Sequence, residues 1–398
     1  MAAPNIKQLK FEGKQTNPFP PYILSEVTRL ISELCLEIKF AKDVVCKHIK
    51  QGGHNNVTTF TCRPFASRYN GKRIECVIRT ARRYYIPRKV QVPVDWKVTT
   101  IAALTHTFGK SGHDLLLPEV LAFDSSWNNC IRSPYIIQAL VKGKTLSRYY
   151  QTMNPHFHLH RSEKEDRSSY VVDRCRIATR IAQFIVKKEG AHFENYGLLK
   201  NKSDVASDGI IVHRFYVDGG FIPMAYSFPT LVAEMINARW INLSSWGNKR
   251  QKVEMLADVY TLMLKNGLLT DQPSVLYHPD FFPRNIMVEE QTTVSGVIDW
   301  DEAMALPRVM TRKPPSFLWA DGDGAVLTQA ESEMIKNCFE QTIEALLPGY
   351  SEDAYSKERI LVRALGLYAL YGFDSNYHSE ISFENLVSDT VALFRAKE

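Results

Sequence analysis

The spacing of hydrophobic residues predicts a helix followed by several strands in the first third of the chain. Just after Ser25, a residue type that caps helices, hydrophobic residues recur every three or four positions, as on a helix with one buried face. These residues are Val27, Leu30, Ile31 and Leu34. Beyond Lys50 the chain becomes rich in β-branched residues, and strands are predicted in GGHNNVTTFTCRPF, RIECVIRTA, LLLPEVLAF and SPYIIQALV. A helical segment with Ile101 and Leu104 separates the second of these strands from the third.

The rest of the chain, from Thr145 onward, has mainly helical spacing. One predicted helix carries isoleucines at four-residue intervals and ends before Gly190. Further helices are predicted at residues 253–264, 335–346 and 360–371. Two short strands, NIMVEE and SGVIDW, interrupt this part and are joined by a QTT turn. The pattern therefore predicts an α+β chain with a small strand-rich N-lobe and a larger mainly helical C-lobe.

The length of the chain, 398 residues, allows two or three domains that each bury a core. We expect residues 1–20, which are polar and contain several prolines, to form a flexible tail. The N-lobe is predicted to span residues 21–140 and the C-lobe residues 141–398, because the strand-rich pattern ends at the sequence KGK, residues 142–144.

Composition and charge exclude several classes of protein. Hydrophobic residues make up 45% of the chain and charged residues 23%, a balance typical of folded rather than disordered proteins. The net charge of +6 is small for this length and no apolar run could span a bilayer, so neither nucleic acid nor a membrane is expected as a partner. The seven cysteines are scattered without a C-x-x-C pair, which argues against a disulfide framework and a four-thiolate zinc site. We therefore expect a cytoplasmic protein, and the sequence leaves its oligomeric state open.

One segment, YHPDFFPRNIMVEEQTTVSGVIDW, has the residues most typical of catalysis. His278, Asp280 and Asn285 form the pattern H-x-D-x-x-x-x-N on a loop that leads into a predicted strand. A predicted hairpin then returns Asp299 to the same end. The amide of Asn285 and the carboxylate of Asp299 are oxygen ligands of the kind that Mg2+ prefers, while Asp280 could orient an attacking hydroxyl. The purely structural alternative is a loop acid that caps a turn beside a buried aspartate bound by backbone groups.

This segment resembles the catalytic and metal-binding signature of aminoglycoside phosphotransferase-like, or choline-kinase-like, small-molecule kinases. GGHNNV is similar to the reduced glycine loop of that family, CVIR to its strand with a phosphate-binding cation, and SPYIIQALVKGKTL to its hinge. The resemblance covers roughly residues 45–320 and is greatest to divergent fungal homologues. It implies a bilobal protein-kinase-like fold and an ATP- and Mg2+-dependent phosphotransferase that acts on a hydroxyl group of a small molecule.

The resemblance also implies a role for each matching residue. Asp280 would be the catalytic carboxylate, His278 would brace the catalytic loop, and Asn285 and Asp299 would hold Mg2+. The residues implied in nucleotide binding are Gly52, Gly53, Asn55, Arg79, Gln138 and Leu140.

Two departures from the family pattern leave other functions open. Arg79 stands where these kinases usually have lysine, and the next helical segment, VTTIAALTHTF, has Thr100 where a glutamate is expected to pair with that cation. One alternative is a pseudokinase or nucleotide-binding module that transfers no phosphate. Another is a kinase-fold enzyme recruited to unusual chemistry, either phosphorylation-driven dehydration or nucleotidyl transfer.

The acceptor is expected to be a small molecule, and the sequence does not identify it. Aromatic residues are frequent in residues 215–250, where an acceptor pocket and ordinary core packing explain them equally well. The same stretch has no acidic cluster of the kind expected for a polycationic aminoglycoside.

Overall fold

A computed structural model gives the fold of the chain as two compact units. It describes residues 24–51, 55–81, 94–110, 115–153, 163–202, 209–217, 220–242, 247–320, 327–373 and 380–395. The first unit contains the described residues of 1–86 and 120–140, and the second those of 87–119 and 141–398. One division falls between residues 140 and 141, and residues 94–110 group with the second unit.

The helices and strands are numbered in chain order. The helices are α1 (Leu24–Glu37), α2 (Val94–Lys110), α3 (Leu146–Met153), α4 (Glu163–Glu189), α5 (Phe228–Asn242), α6 (Gly247–Lys265), α7 (Arg308–Thr311), α8 (Gln329–Leu346), α9 (Tyr350–Tyr355), α10 (Lys357–Tyr371) and α11 (Phe383–Arg395). The strands are β1 (Ala41–Gln51), β2 (Asn55–Pro64), β3 (Ile74–Ala81), β4 (Val120–Asp124), β5 (Tyr135–Ala139), β6 (Lys144–Thr145), β7 (His192–Phe193), β8 (Gly197–Asn201), β9 (Ile210–His213), β10 (Tyr216–Val217), β11 (Gly220–Phe221), β12 (Ser274–Tyr277), β13 (Ile286–Val288), β14 (Val294–Val297) and β15 (Met304–Pro307).

The first unit is an antiparallel five-stranded sheet with the order β1-β2-β3-β5-β4. Strand residues alternate between two faces, and one face packs with helix α1 to form a core. That core contains Val27, Ile31 and Leu34 from the helix and Phe60, Cys76, Ile78 and Ile137 from the strands. The amphipathic helix predicted from the first residues is therefore confirmed, although it begins at Leu24, so Ser25 lies in its first turn and does not precede it.

Strand β1 is a feature that the sequence analysis missed. Its sequence, AKDVVCKHIKQ, has charged residues at several positions and no turn signal separates it from α1. In the sheet, Val44 and Cys46 are buried against the core, while the charged Lys42, Asp43 and Lys47 are exposed, as suits an edge strand.

The second unit contains more strands than the two that the sequence predicts. A five-stranded sheet has the order β7-β12-β15-β8-β9, a three-stranded one the order β14-β13-β6, and β10 pairs with β11. Only β13 and β14 were expected, and both are confirmed, with a short helical turn at Glu290–Thr292 where QTT predicts one. The missed strands have two to five residues, which is too short for an alternating pattern to be recognised.

Helices α5, α6, α10 and α11 build the main core of the second unit. Helix α10 is buried on all sides over residues 361–370, as a helix enclosed by others must be. The helices predicted at residues 253–264, 335–346 and 360–371 are confirmed. Among the described residues, no helix is both long and apolar enough to cross a membrane.

A buried charge network joins the end of α4 to the C-terminal helices. The guanidinium of Arg312, which is 3% exposed, donates to the Glu189 carboxylate over 3.0 Å and to Asp353 Oδ2 over 2.9 Å. Arg363 is also buried and donates to the backbone carbonyls of Asp353 and Ala354 over 2.8 Å each. Since a buried charge is tolerated only when it is paired and hydrogen-bonded, these segments can pack only in the arrangement that completes the network.

We expect Arg312→Met to lower the free energy of unfolding by roughly 3–5 kcal/mol, because it leaves the buried Glu189 carboxylate without its guanidinium and removes one of the ion pairs of Asp353. The exposed pair of Arg250 with Glu254 provides the control, and Arg250→Met should cost about 1 kcal/mol or less. Urea denaturation of the two variants measures both values. Equal losses of stability would contradict a special contribution of the buried network.

Candidate functional site

The loop between β12 and β13 places His278, Asp280 and Asn285 side by side. His278 follows β12 directly, and Asn285 ends a short helical turn, Pro283–Asn285, that leads into β13. The turn is closed by two backbone hydrogen bonds of 2.9 Å, from Phe282 to the carbonyl of Asp280 and from Asn285 to that of Phe282. Proline at the first position of this turn suits it, because proline has no amide hydrogen that would need a partner there.

The imidazole of His278 holds this loop to the end of β14. Its Nδ1 accepts a hydrogen bond of 3.2 Å from the backbone amide of Asp280, so Nε2 carries the proton and donates to the carbonyl of Ile298 over 2.9 Å. The ring is 2% exposed, and burial lowers the pKa of His278 to about 4. A neutral histidine with both ring nitrogens engaged is suited to bracing the loop and not to transferring protons.

The carboxylate of Asp280 is held from two sides. Asn285 Nδ2 donates to Asp280 Oδ2 over 2.6 Å and to the Asp280 backbone carbonyl over 2.9 Å. Arg284 forms an ion pair with Oδ1 of the same carboxylate. Asp280 remains about one-third exposed, so it is both fixed in direction and open to a ligand.

The hairpin of β13 and β14 brings Asp299 to the same end as Asn285. Ile286 pairs with Val297, and beyond that pair the Ile298 amide donates to the Asn285 carbonyl over 2.8 Å. Asp299 then has a φ of +70°, a left-handed conformation that is uncommon outside glycine and that aspartate and asparagine tolerate best. Such strain is concentrated at functional sites, where the surrounding structure holds it in place.

The two residues predicted to bind a metal offer donors that fit Mg2+. The hydrogen bonds of Asn285 use its amide nitrogen, and within the described part of the chain no group donates to its Oδ1. That oxygen and the carboxylate of Asp299 are hard ligands of the type Mg2+ prefers, with the remaining positions left to phosphate and water. Groups of three or more histidine, cysteine and acidic residues that could hold a metal do not occur among the described residues.

Aromatic rings support the loop from below. His278 meets the buried ring of Trp300 with centroids 4.6 Å apart, and the Trp300 Nε1 donates to the carbonyl of Val297 over 2.8 Å. Phe281 stacks on Phe184 of α4 with centroids 5.4 Å apart. The helix predicted before this loop therefore packs directly beneath it, as aromatic pairs of this geometry favour.

The predicted nucleotide-binding residues that the structure describes lie in the first unit. In the register of the sheet, Val57 faces Arg79 and Val77 faces Gln138, so the side chains of Asn55, Arg79 and Gln138 share the sheet face opposite α1. The amide of Leu140 donates to the carbonyl of Glu75 over 2.9 Å at the end of β5. Gly52 and Gly53 lie outside the described residues.

Thr100, which stands where a glutamate is expected, is buried in the second unit. Its hydroxyl donates to the carbonyl of Leu199 on β8 over 3.1 Å. The helix α2 that carries it packs against β8 and β9 of that sheet, and its residues Ile101 and Leu104 are buried. The missing glutamate is thus replaced by a residue with a structural hydrogen bond of its own.

Two polar residues of this region were missed by the sequence analysis. Arg284 lies one position before Asn285 and four residues after Asp280. Opposite charges at this spacing often form an ion pair, so the pairing with Asp280 could have been predicted. Lys188 continues the helical spacing of Ile181 and Ile185 on α4, so its burial was predictable from the same periodicity.

Part of the chain is similar to a known protein family. Residues 230–310, which include the loop after β12 and the β13–β14 hairpin, match the model of the family described as "Phosphotransferase enzyme family". The resemblance to aminoglycoside phosphotransferase-like kinases is confirmed. A search among curated proteins finds none that matches the chain.

Solved structures of aminoglycoside phosphotransferases are similar to this chain. The crystal structure of APH(4)-Ia matches with a TM-score of 0.50 and 14% identity, over 93% of this chain and 96% of that one. A thermostable mutant of that enzyme in a ternary complex with AMP-PNP and hygromycin B matches with a TM-score of 0.49 and 15% identity, over 92% and 95%. ADP-bound APH(2'')-Ib matches with a TM-score of 0.44 and 13% identity, over 92% and 96%. The first of these confirms the predicted kinase-like α+β fold.

The neutral His278 predicts that stability falls as the pH is lowered. Its folded pKa of about 4 lies below the ordinary value of 6.5, so the unfolded chain takes up the proton first and the stabilisation, complete above about pH 6.5, is lost toward pH 4. We expect a loss of about 2 kcal/mol between pH 7 and pH 5 from this group. Urea denaturation at the two pH values measures it.

The His278→Gln variant should lose this part of the pH dependence, whereas His48→Gln, at an exposed position on β1, should retain it. A wild-type dependence in the His278→Gln variant would show that other groups cause the loss.

Proposed function

We propose that this chain is an ATP- and Mg2+-dependent phosphotransferase that acts on a hydroxyl group of a small molecule. The observation that carries the proposal is the arrangement of three side chains. The Asp280 carboxylate, about one-third exposed, lies beside Asn285, and the β13–β14 hairpin brings Asp299 to the same end of the hairpin as Asn285. The family match over residues 230–310 supports it.

Asp280 would orient the acceptor hydroxyl toward the phosphate and accept its proton as transfer proceeds. Before the acceptor binds, Arg284 occupies one oxygen of this carboxylate. Exchange of that partner for the hydroxyl would free the guanidinium, which could then stabilise charge on the transferred phosphoryl group.

Asn285 and Asp299 would hold Mg2+ through Oδ1 and the carboxylate. When bound, Mg2+ neutralises charge on the nucleotide phosphates. The contribution of the chain is the fixed direction of these donors, since the hydrogen bond from Asn285 to Asp280 ties a metal ligand to the catalytic carboxylate.

Nucleotide binding would use the sheet face that carries Asn55, Arg79 and Gln138, with backbone groups near Leu140 for the adenine and the glycines Gly52 and Gly53 over the phosphates. The fold neighbours are described with AMP-PNP and ADP bound, which supports this part of the proposal. A nucleotide-binding module without transfer remains the second candidate, because Thr100 replaces the glutamate that usually orders the cation.

The Asp280→Asn variant should lower kcat by ~10²–10⁴-fold while it folds normally, because the amide keeps the size of the side chain but accepts no proton. Asp258→Asn, an exposed acid on α6, is the matched control and should retain full activity. ATP consumption in the presence of a metabolite library measures the rate. An Asp280→Asn enzyme with wild-type turnover would refute the mechanism.

The Asp299→Asn variant should need more Mg2+ for the same rate, by ~10–100-fold, because a neutral amide binds the ion less tightly. Asparagine tolerates the left-handed backbone of this position, so the fold should be retained. Titration of the rate, or of AMP-PNP binding, with Mg2+ measures the effect. An unchanged Mg2+ requirement would exclude Asp299 as a ligand.

A further inference from the structure

Lys188, in the last turn of α4, is a buried amine with no carboxylate partner among the described residues. Its side chain is 6% exposed, and no described residue forms a hydrogen bond or an ion pair with it. The adjacent acid, Glu189, directs its carboxylate to Arg312. Burial lowers the pKa of Lys188 to about 8, which leaves the amine mostly charged at neutral pH. An uncompensated buried ammonium is costly, so a partner of opposite charge would be strongly favoured here.

One phenol lies beside this amine, and a second is hydrogen-bonded to the first. Lys188 Nζ is 6.0 Å from the ring centroid of Tyr277, and Tyr277 shares a hydrogen bond with Tyr371. Burial raises the pKa of Tyr277 to about 12 and that of Tyr371 well above its ordinary value, so both phenols keep their protons. An ammonium with neutral hydroxyl groups is a set of hydrogen-bond donors, which suits an oxyanion.

The amine lies close to the proposed catalytic loop. Tyr277 immediately precedes His278, and the charges of both Asp280 and Lys188 act on the pKa of that histidine after the larger effect of burial. The negative charge of Glu302 similarly acts on Tyr371. Lys188 Nζ is 6.0 Å from the ring of Tyr277, which lies three residues before Asp280, so we take one small ligand to contact both groups, while the two acids keep the surroundings from being uniformly positive.

We propose that Lys188, with the hydroxyl of Tyr277, binds an anionic oxygen group of the acceptor, which would be an alcohol that also carries a carboxylate or a phosphate. This inference rests on the proposed function, because it assumes that the acceptor hydroxyl is directed to Asp280. A buried cation near the hydroxyl-orienting carboxylate would reject a polycationic aminoglycoside and would select an acceptor with the opposite charge.

The test measures binding of two small anions, glycerate and inorganic phosphate, by calorimetry, with glycerol as the neutral match for glycerate. Wild-type protein should bind glycerate saturably and glycerol at least ~10-fold more weakly. Lys188→Met should weaken glycerate binding by ~10-fold or more, whereas Lys187→Met, on the exposed side of the same turn, should leave it unchanged. The phosphate titration distinguishes a phosphate-bearing acceptor from a carboxylate-bearing one. The anion whose binding is weakened more by Lys188→Met indicates which group the acceptor carries.

Tyr277→Phe retains the ring and removes only the hydroxyl, so it provides a second test in case Lys188→Met does not fold. It should weaken glycerate binding several-fold. The proposal is overturned if the wild-type protein binds neither anion saturably, or if the variants bind both anions as the wild type does.

A parallel titration with Mg2+ and AMP-PNP separates this inference from the proposed function. Lys188→Met should bind AMP-PNP as the wild type does. If AMP-PNP binding is lost with Lys188 while glycerate binding is not, the amine serves the nucleotide phosphates and the inference is wrong. If AMP-PNP fails to bind even to wild type while Lys188-dependent glycerate binding persists, the anion site stands and the proposed kinase function fails.

Discussion

The hydrogen bond from His278 to the carbonyl of Ile298 is the constraint on which the candidate site depends. It joins the loop after β12 to Ile298, the residue that follows β14. In the sequence, the β13–β14 hairpin lies between these two points. Because the other ring nitrogen accepts from the Asp280 amide, one neutral imidazole sets the positions of the loop and of the residues before Asp299 together. Trp300 and Phe281 pack against the imidazole, which is 2% exposed, and a buried hydrogen bond is stronger than one at the surface.

The end of α4 connects this site to the rest of the second unit. Phe184 supports the loop, Lys188 lies beside Tyr277, and Glu189 enters the buried network with Arg312. These contacts come from successive turns of one helix. The ion pair of Glu189 with Arg312 therefore also fixes the position of α4 along its axis, and with it the places where Phe184 and Lys188 contact the loop and Tyr277. Charge burial, usually unfavourable, here gives positional accuracy to neighbouring side chains.

Sequence patterns predict the helices and strands that have a regular hydrophobic periodicity, and the site residues that have the spacing of a known motif. The amphipathic helix α1, the long helix α4 and the β13–β14 hairpin follow from periodicity, and the relation of Asp280 to Asn285 follows from their five-residue spacing. The short strands of the second unit could not be predicted, because β7 or β10 consists of two residues that are ordered only by their partners. The membership of α2 in the second unit was also missed, since it is decided by contacts such as the bond from Thr100 to Leu199.

The left-handed backbone at Asp299 limits how this site can diverge. A β-branched or bulky residue is strained in this conformation, so glycine, asparagine and aspartate are the substitutions that preserve the turn at least cost. Of these three, aspartate alone carries a full negative charge. A homologue that lost the charge could therefore keep the same hairpin with asparagine or glycine at this position. Such a substitution would identify a protein that has the same fold but has changed its metal binding or its activity.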